Sequence, residues 1–175
     1  MLQPTFVAVL IYIATGSNLG LRVDHLDRAD TEIKRIGRVL RTSPTYSTEA
    51  VGMADGTPDF LNRVVEVKLD PPWTTQPEAT MQALLDIERQ MGRTRVEGAV
   101  SSRPIDLDIV LWGGRILDLD GLVVPHPRMV HRRFVLQPLA DLIPNFQIPG
   151  SACTVLDLLR GLPDSVPDIA QWPNT

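Results

Sequence analysis

With a single cysteine, Cys153, the chain cannot close an internal disulfide or build a multi-cysteine zinc site, which points to a reducing compartment with cytoplasm as the default. Lysine is almost as scarce, two residues against fifteen arginines. A net charge of −4 and a pI near 5.3 exclude a protein whose main task is to wrap nucleic acid or lie on an anionic membrane, and leave small soluble substrates. No long hydrophobic run is present: the apolar stretch Phe6 to Ala14 is too short to span a bilayer and has no basic residue before it, so it reads as a buried strand. Neither G-x-x-x-x-G-K-[ST] nor G-x-G-x-x-G occurs, so a nucleotide user here is neither a P-loop nor a kinase-fold enzyme.

The 175 residues, 43% hydrophobic and 22% charged, fit one globular domain over residues 1–175. Thr5 to Ala14 reads as a strand and Gly16 to Gly20 as its turn. Val23, Leu26, Ala29, Ile33 and Ile36 mark one helix face, with Gly37 at the C-cap. Arg38 to Thr48 is a strand candidate broken by Pro44, Ala50 to Pro58 is a loop, and Phe60 to Leu69 alternates as a strand. Thr75 and Glu78 form a capping-box pattern before a second helix that ends at Gly92. Ile105 to Trp112 alternates as a strand that Gly113-Gly114 turns into a hairpin with Arg115 to Leu119. A helix follows near Arg128 to Leu142 and a short one from Thr154 to Leu162, after which the last dozen residues read as frayed. Strands mixed with two long helices predict an α+β sandwich rather than a doubly wound parallel sheet.

Asp106 and Asp108 are the strongest chemical feature, because residues i and i+2 of a strand project to the same face about 7 Å apart. Two such carboxylates repel unless something positive lies between them, and magnesium accepts carboxylate and phosphate oxygens together. A two-metal phosphoryl-transfer site fits this pattern; the alternative is that one or both Asp pair with nearby arginines. Arg93, Arg95 and Arg103 precede the strand, and His126 and Arg132 follow it, the donor types that bind phosphate oxygens. Phe60 and Asn62 share a strand face suited to stacking on and hydrogen-bonding a flat heterocycle, and Phe134 could supply a second stacking face; alone, both phenylalanines also suit an ordinary core.

Taken together, Gly16-Ser17-Asn18-Leu19, Pro58-Asp59-Phe60-Leu61-Asn62, Glu88 with Gly92-Arg93, Arg103-Pro104-Ile105-Asp106-Leu107-Asp108-Ile109 and Val124-Pro125-His126-Pro127-Arg128-Met129 resemble the 6-hydroxymethyl-7,8-dihydropterin pyrophosphokinases over roughly Val7 to Pro144. The resemblance implies a ferredoxin-like α+β sandwich, usually monomeric, in which the pterin hydroxymethyl oxygen attacks the β-phosphorus of magnesium ATP and AMP leaves. Matched by position, Asp106 and Asp108 would bind two magnesium ions, and Arg93 and Arg103 would face the phosphates. Glu88, Arg95, Ile109, His126 and Arg132 would line the ATP site, while Thr48, Val51, Phe60, Asn62 and Phe134 would hold the pterin. The chain departs from the family at Ala99-Val100-Ser101-Ser102, where an Arg-Trp-Gly-Pro run is usual. A relative that binds both substrates but transfers weakly through an altered lid is the alternative this departure implies.

Overall fold

A computed structural model describes residues 8–94 and 101–173. In chain order the elements are β1 (Leu10–Ser17), α1 (Arg22–Ile33), β2 (Gly37–Thr42), β3 (Tyr46–Thr48), β4 (Phe60–Leu69), α2 (Pro77–Gln90), β5 (Asp106–Trp112), β6 (Leu117–Leu119), β7 (Leu122–Val124), α3 (Arg133–Leu142), α4 (Val155–Arg160) and β8 (Ala170–Gln171). The main sheet has the order β5-β1-β4-β3-β8, with β2 also paired to β4, and every pairing in it is antiparallel. The path β1-α1-β2/β3-β4-α2-β5 is the split arrangement of a ferredoxin-like sandwich.

The central strands β1, β4 and β5 bury both of their faces, because helices cover both sides of the sheet. Ile11, Ile13, Leu61, Val65, Val67, Leu107 and Ile109 pack beneath Leu26, Ala29 and Ile33 of α1 and Leu84 and Ile87 of α2. Tyr12, Val64, Val110 and Leu111 pack on the opposite side against Val135, Leu136 and Leu139 of α3 and Val155 of α4. Fully burying one such aliphatic side chain contributes about 1.5–3 kcal/mol, so the second layer is a large part of the fold's stability. Val64 and Glu66 therefore sit under protein rather than solvent. Glu66 is accommodated there by Tyr12, whose hydroxyl donates to it at 2.7 Å, and by Arg41, whose Nε donates at 2.6 Å.

Several local expectations change. Gly16 and Ser17 continue β1 rather than turning the chain, and Val23 is 40% exposed although its spacing fits the apolar face of α1. Gly37 is not a C-cap: it opens β2 beside Leu69, where an added Cβ would stand 2.3 Å from the Lys68 carbonyl oxygen. Thr75 belongs to a short 3₁₀ turn, and the capping residue of α2 is Gln76 without a side-chain bond; Pro77 at the first helical position lacks an N–H to cap. A true capping box does form at Thr154 and Asp157, opening α4. β5 makes no hairpin with the segment after Gly113-Gly114. The hairpin is β6 with β7 around Asp120-Gly121, where Gly121 takes φ +76°, the dipeptide that favours a tight turn. The final residues are not frayed through Gln171: β8 pairs with β3.

Candidate active site

The α3 side of the sheet carries a row of small and acidic residues at one end. Ala14 and Gly16 of β1 lie opposite Asp108 and Asp106 of β5, and Gly16 also lies opposite Asn62 of β4, so these positions share a face. Beside Ala14, Val64, and further along that face Tyr12 and Leu111, are covered by α3 and α4. Over the small and acidic row lies a cavity of about 520 Å³, lined by residues that include Asp106, Asp108, Asn62, Arg93, Arg103 and His126. Glycine is required at position 16, since a Cβ there would stand 2.8 Å from Asn62 Oδ1.

A helix terminus delivers the first arginine. Gly92, at φ +92°, lets its own N–H donate to the Arg89 carbonyl and the Arg93 N–H donate to the Glu88 carbonyl, both at 3.0 Å, the double bond of a Schellman turn. The chain thereby reverses over the last turn of α2, and Arg93 Nη1 donates to both Glu88 and Asp106. Glu88 is 1% exposed and its Oε1 also accepts the Leu107 N–H at 2.8 Å, so it anchors Arg93 and the start of β5 together. The second arginine is placed by Asn18, which is fully buried. Its Oδ1 accepts the Arg103 N–H at 2.8 Å, its own N–H donates to the Arg103 carbonyl at 3.2 Å, and its Nδ2 donates to the Pro58 carbonyl and to Ser102 Oγ. Arg103 Nη2 then reaches Asp106 at 2.8 Å, with its guanidinium 4.9 Å from the centre of the Phe60 ring.

The two aspartates differ in environment. Burial pushes the Asp106 carboxyl up, but the charges of Arg103 and Arg93 outweigh it and hold the group below the usual carboxylate range. Burial also raises Asp108, the negative charge of Asp106 raises it further, and His126, Arg132 and Arg128 offset only part of this. Among the described residues Asp108 forms no ion pair, whereas Asp106 has two. The donor set therefore fits a hard cation: two carboxylates face one cavity, and one of them is without a compensating charge in contact. Among the described residues, no group of three or more His, Cys, Asp or Glu is arranged to hold a metal, so the candidate pair is these two carboxylates.

On the far side of the cavity, the His126 N–H donates to the Val110 carbonyl at 3.0 Å, fixing its loop to β5. The Arg128 N–H donates to His126 Nδ1 at 3.1 Å, which makes Nδ1 the acceptor and leaves the proton of the neutral ring on Nε2. Burial lowers the His126 pKa, with Arg132 and Arg128 adding to this against the pull of Asp108. Burial also lowers that of Arg132, whose guanidinium lies 5.5 Å from the centre of the Phe134 ring. Asn62 Nδ2 donates to Thr48 Oγ1 at 2.8 Å, which orients the amide.

Thr48, Val51, Phe60, Asn62, Arg93, Arg103, Asp106, Asp108, His126, Arg132 and Phe134 all line this cavity. Two expected residues do not line it. Glu88 lies beneath Arg93, and the Ile109 side chain points to the opposite face of the sheet into the α1–α2 core. Arg95, like Ala99 and Val100 of the altered run, lies outside the described residues. The structure adds Arg128 and His131, which the V-P-H-P-R-M neighbourhood could have indicated. It also adds Val166, Pro167 and Ile169 from a C-terminal stretch with no periodic or motif signal.

The family model for 7,8-dihydro-6-hydroxymethylpterin-pyrophosphokinase (HPPK) matches residues 12–144. The chain is 34% identical over 163 residues to a 2-amino-4-hydroxy-6-hydroxymethyldihydropteridine pyrophosphokinase of Synechocystis sp., covering 92% of this chain and 78% of that one. Proteins of the same name from Pseudomonas aeruginosa and Bacillus subtilis are each 38% identical, covering 79% and 76% of this chain and 83% and 77% of theirs. Among solved structures, Plasmodium falciparum HPPK-DHPS with pterin and p-hydrobenzoate superposes with a TM-score of 0.65 at 14% identity, over 90% of this chain. The chain spans 45% of that longer protein, a likeness of fold. The family match over most of the chain, with relatives above 30% identity along most of their own length, shows that this chain belongs to the HPPK family.

Proposed function

We propose that the cavity over Asp106 and Asp108 binds ATP and 6-hydroxymethyl-7,8-dihydropterin together and transfers the pyrophosphoryl group between them. Pyrophosphoryl transfer to this pterin alcohol, in folate biosynthesis, is the activity of the family. The pterin hydroxymethyl oxygen forms a bond to the β-phosphorus, the bond from that phosphorus to the α-phosphate bridging oxygen breaks, AMP departs with that oxygen, and the hydroxyl proton is lost.

The observation that carries the residue assignment is the pairing of two carboxylates with unequal compensation on one cavity face. Asp106 and Asp108 would hold two magnesium ions, which when bound neutralise charge on the phosphates. Arg93 and Arg103 stand on the cavity side of β5, where their guanidinium groups donate to phosphate oxygens and stabilise the charge that develops as AMP leaves. His126 offers Nε2–H and Arg132 its guanidinium to the nucleotide. Phe60 and Phe134 bracket the pterin, while Asn62, held by Thr48, hydrogen-bonds its edge.

The test is release of AMP from ATP plus the pterin alcohol in magnesium buffer. Asp106→Ala and Asp108→Ala should each lower turnover by about 10³-fold or more with an unchanged circular dichroism spectrum. Normal turnover in either variant refutes the metal-site assignment. Calorimetric binding of both substrates without AMP release by the wild-type chain refutes transfer itself.

A further inference from the structure

The residues after α4 leave the helix layer and cross the open edge of the sheet. Val166 packs with the α3-side cluster, while Trp172 packs with the α1-side cluster, so the segment passes from one face of the sheet to the other around β3. It is fastened at three places. Arg133 Nε lies 3.5 Å from Asp168; Ala170 and Gln171 pair with Ser47 and Tyr46; and the Trp172 N–H donates to the Thr45 carbonyl at 2.8 Å, with the Arg22 guanidinium 5.2 Å from the centre of the Trp172 ring. The β3–β8 register carried one step further sets Ile169 beside Thr48, the residue that holds the Asn62 amide. Ile169 and Val166 both line the cavity, and both are half-buried. The segment lies beyond residues 12–144, the stretch the family model matches.

We infer that the C-terminal segment is the outer wall of the heterocycle end of the cavity, and that Ile169 sets the fit of the pterin ring. This rests on the reading that Asn62, Phe60 and Phe134 receive the pterin. An apolar side chain anchored at the sheet edge, beside an amide that fixes the orientation of a flat ring, limits substituents on the ring edge that faces it. The nucleotide end, around His126, Arg128 and Arg132, lies on other elements, so the effect belongs to one substrate.

The experiment compares wild type, Ile169→Ala and Trp172→Ala in full-length protein, measuring AMP release against each substrate and the affinity for the pterin alcohol by calorimetry. Ile169→Ala should raise the pterin KM and weaken pterin binding by roughly 10-fold, leave the ATP KM within about twofold, and improve the relative turnover of a ring-methylated pterin alcohol. Trp172→Ala, which removes the anchor without touching the cavity, should shift the same constants in the same direction. An unchanged pterin KM in Ile169→Ala, or equal losses for both substrates, overturns the wall. A wild-type chain that releases no AMP overturns the underlying reading instead.

Discussion

Replacing one aspartate of the pair should stabilise the protein, while replacing the other should destabilise it, although both lie on the same face of the same strand. Carboxylates about 7 Å apart repel by about 2 kcal/mol at an effective dielectric of about 20. For Asp108 that repulsion adds to the cost of burial, and the more distant Arg132, Arg128 and His126 return only part of it. Asp108→Asn should therefore gain about 1 kcal/mol, and a chain of this size should melt about 2–4 °C higher. Asp106 is in the opposite position, because Arg93 and Arg103 are in contact with it and are only 12% and 22% exposed. Asp106→Asn leaves both guanidinium groups short of a counter-charge; Arg93 keeps Glu88, so we expect a loss of about 2 kcal/mol rather than the ~3–5 kcal/mol of a fully broken buried pair. The assay is thermal unfolding at neutral pH in chelator-treated, low-salt buffer without nucleotide, with both variants measured beside wild type. If Asp108→Asn melts lower than wild type, or the two variants shift together, the proposed imbalance of charge is wrong.

Two further substitutions separate placement from packing. Asn18→Ala removes the side chain that joins Arg103, Ser102 and Pro58, so turnover should fall about 10- to 100-fold with Asp106 and Asp108 untouched; steady-state AMP release at saturating substrates measures it, and unchanged turnover would show that Arg103 needs no such tether. Glu66 is held below its ordinary pKa of 4.5 chiefly by hydrogen bonds from Arg41, against burial and with help from Tyr12. Its contribution is therefore present above about pH 4.5 and is lost as the pH falls through the lower folded-state value. Glu66→Gln should cost about 2 kcal/mol at pH 7, and denaturant titrations should show the gap to wild type closing in acid; a gap that stays constant with pH refutes the ionic origin.

The parts of the fold legible in the sequence are those decided by local physics. Phe60 to Leu69 alternates and forms β4 over those same residues, and the glycine after Met91 ends α2 because only a left-handed residue lets Arg93 turn back over Glu88. Tertiary partners decide the remainder. Gly37 has the composition of a helix stop, yet its need for no side chain comes from the Lys68 carbonyl on another strand. Ile109 sits one residue from Asp108, and strand alternation alone sends its side chain to the opposite face, away from the cavity that its motif suggests. Asp106 satisfies both readings of the acidic pair, since it faces the cavity and also pairs with arginines; sequence spacing cannot reveal that Asp108 has no such partner among the described residues. The C-terminal wall was invisible because Val166 and Ile169 acquire their place from an edge pairing with β3, which has no periodic signature in so short a strand.

The boundary between site and core is drawn by a single irregularity in β5. Its register against β1 passes from Ile109 opposite Ile13 to Leu111 opposite Tyr12, so Val110 is an extra residue in a β-bulge. Before the bulge, alternation gives the cavity face Asp106 and Asp108 and gives the α1–α2 core Leu107 and Ile109. At the bulge, Val110 and Leu111 both face α3, and the following Trp112 returns fully buried to the other core. If Val110 were paired in regular register instead of bulging, strict alternation through the same residues would turn Leu111 toward α1 and α2 and Trp112 toward α3, exchanging a leucine for an indole in each layer. Opposite the aspartates, β1 presents only Ala14 and Gly16, which leave room above the sheet, while opposite the bulge it presents Tyr12, which fills it. One strand therefore supplies the carboxylates at its start and closes the hydrophobic layer at its end. The change of function along it is kept by the bulge at Val110 and by the sizes of three side chains on its neighbour.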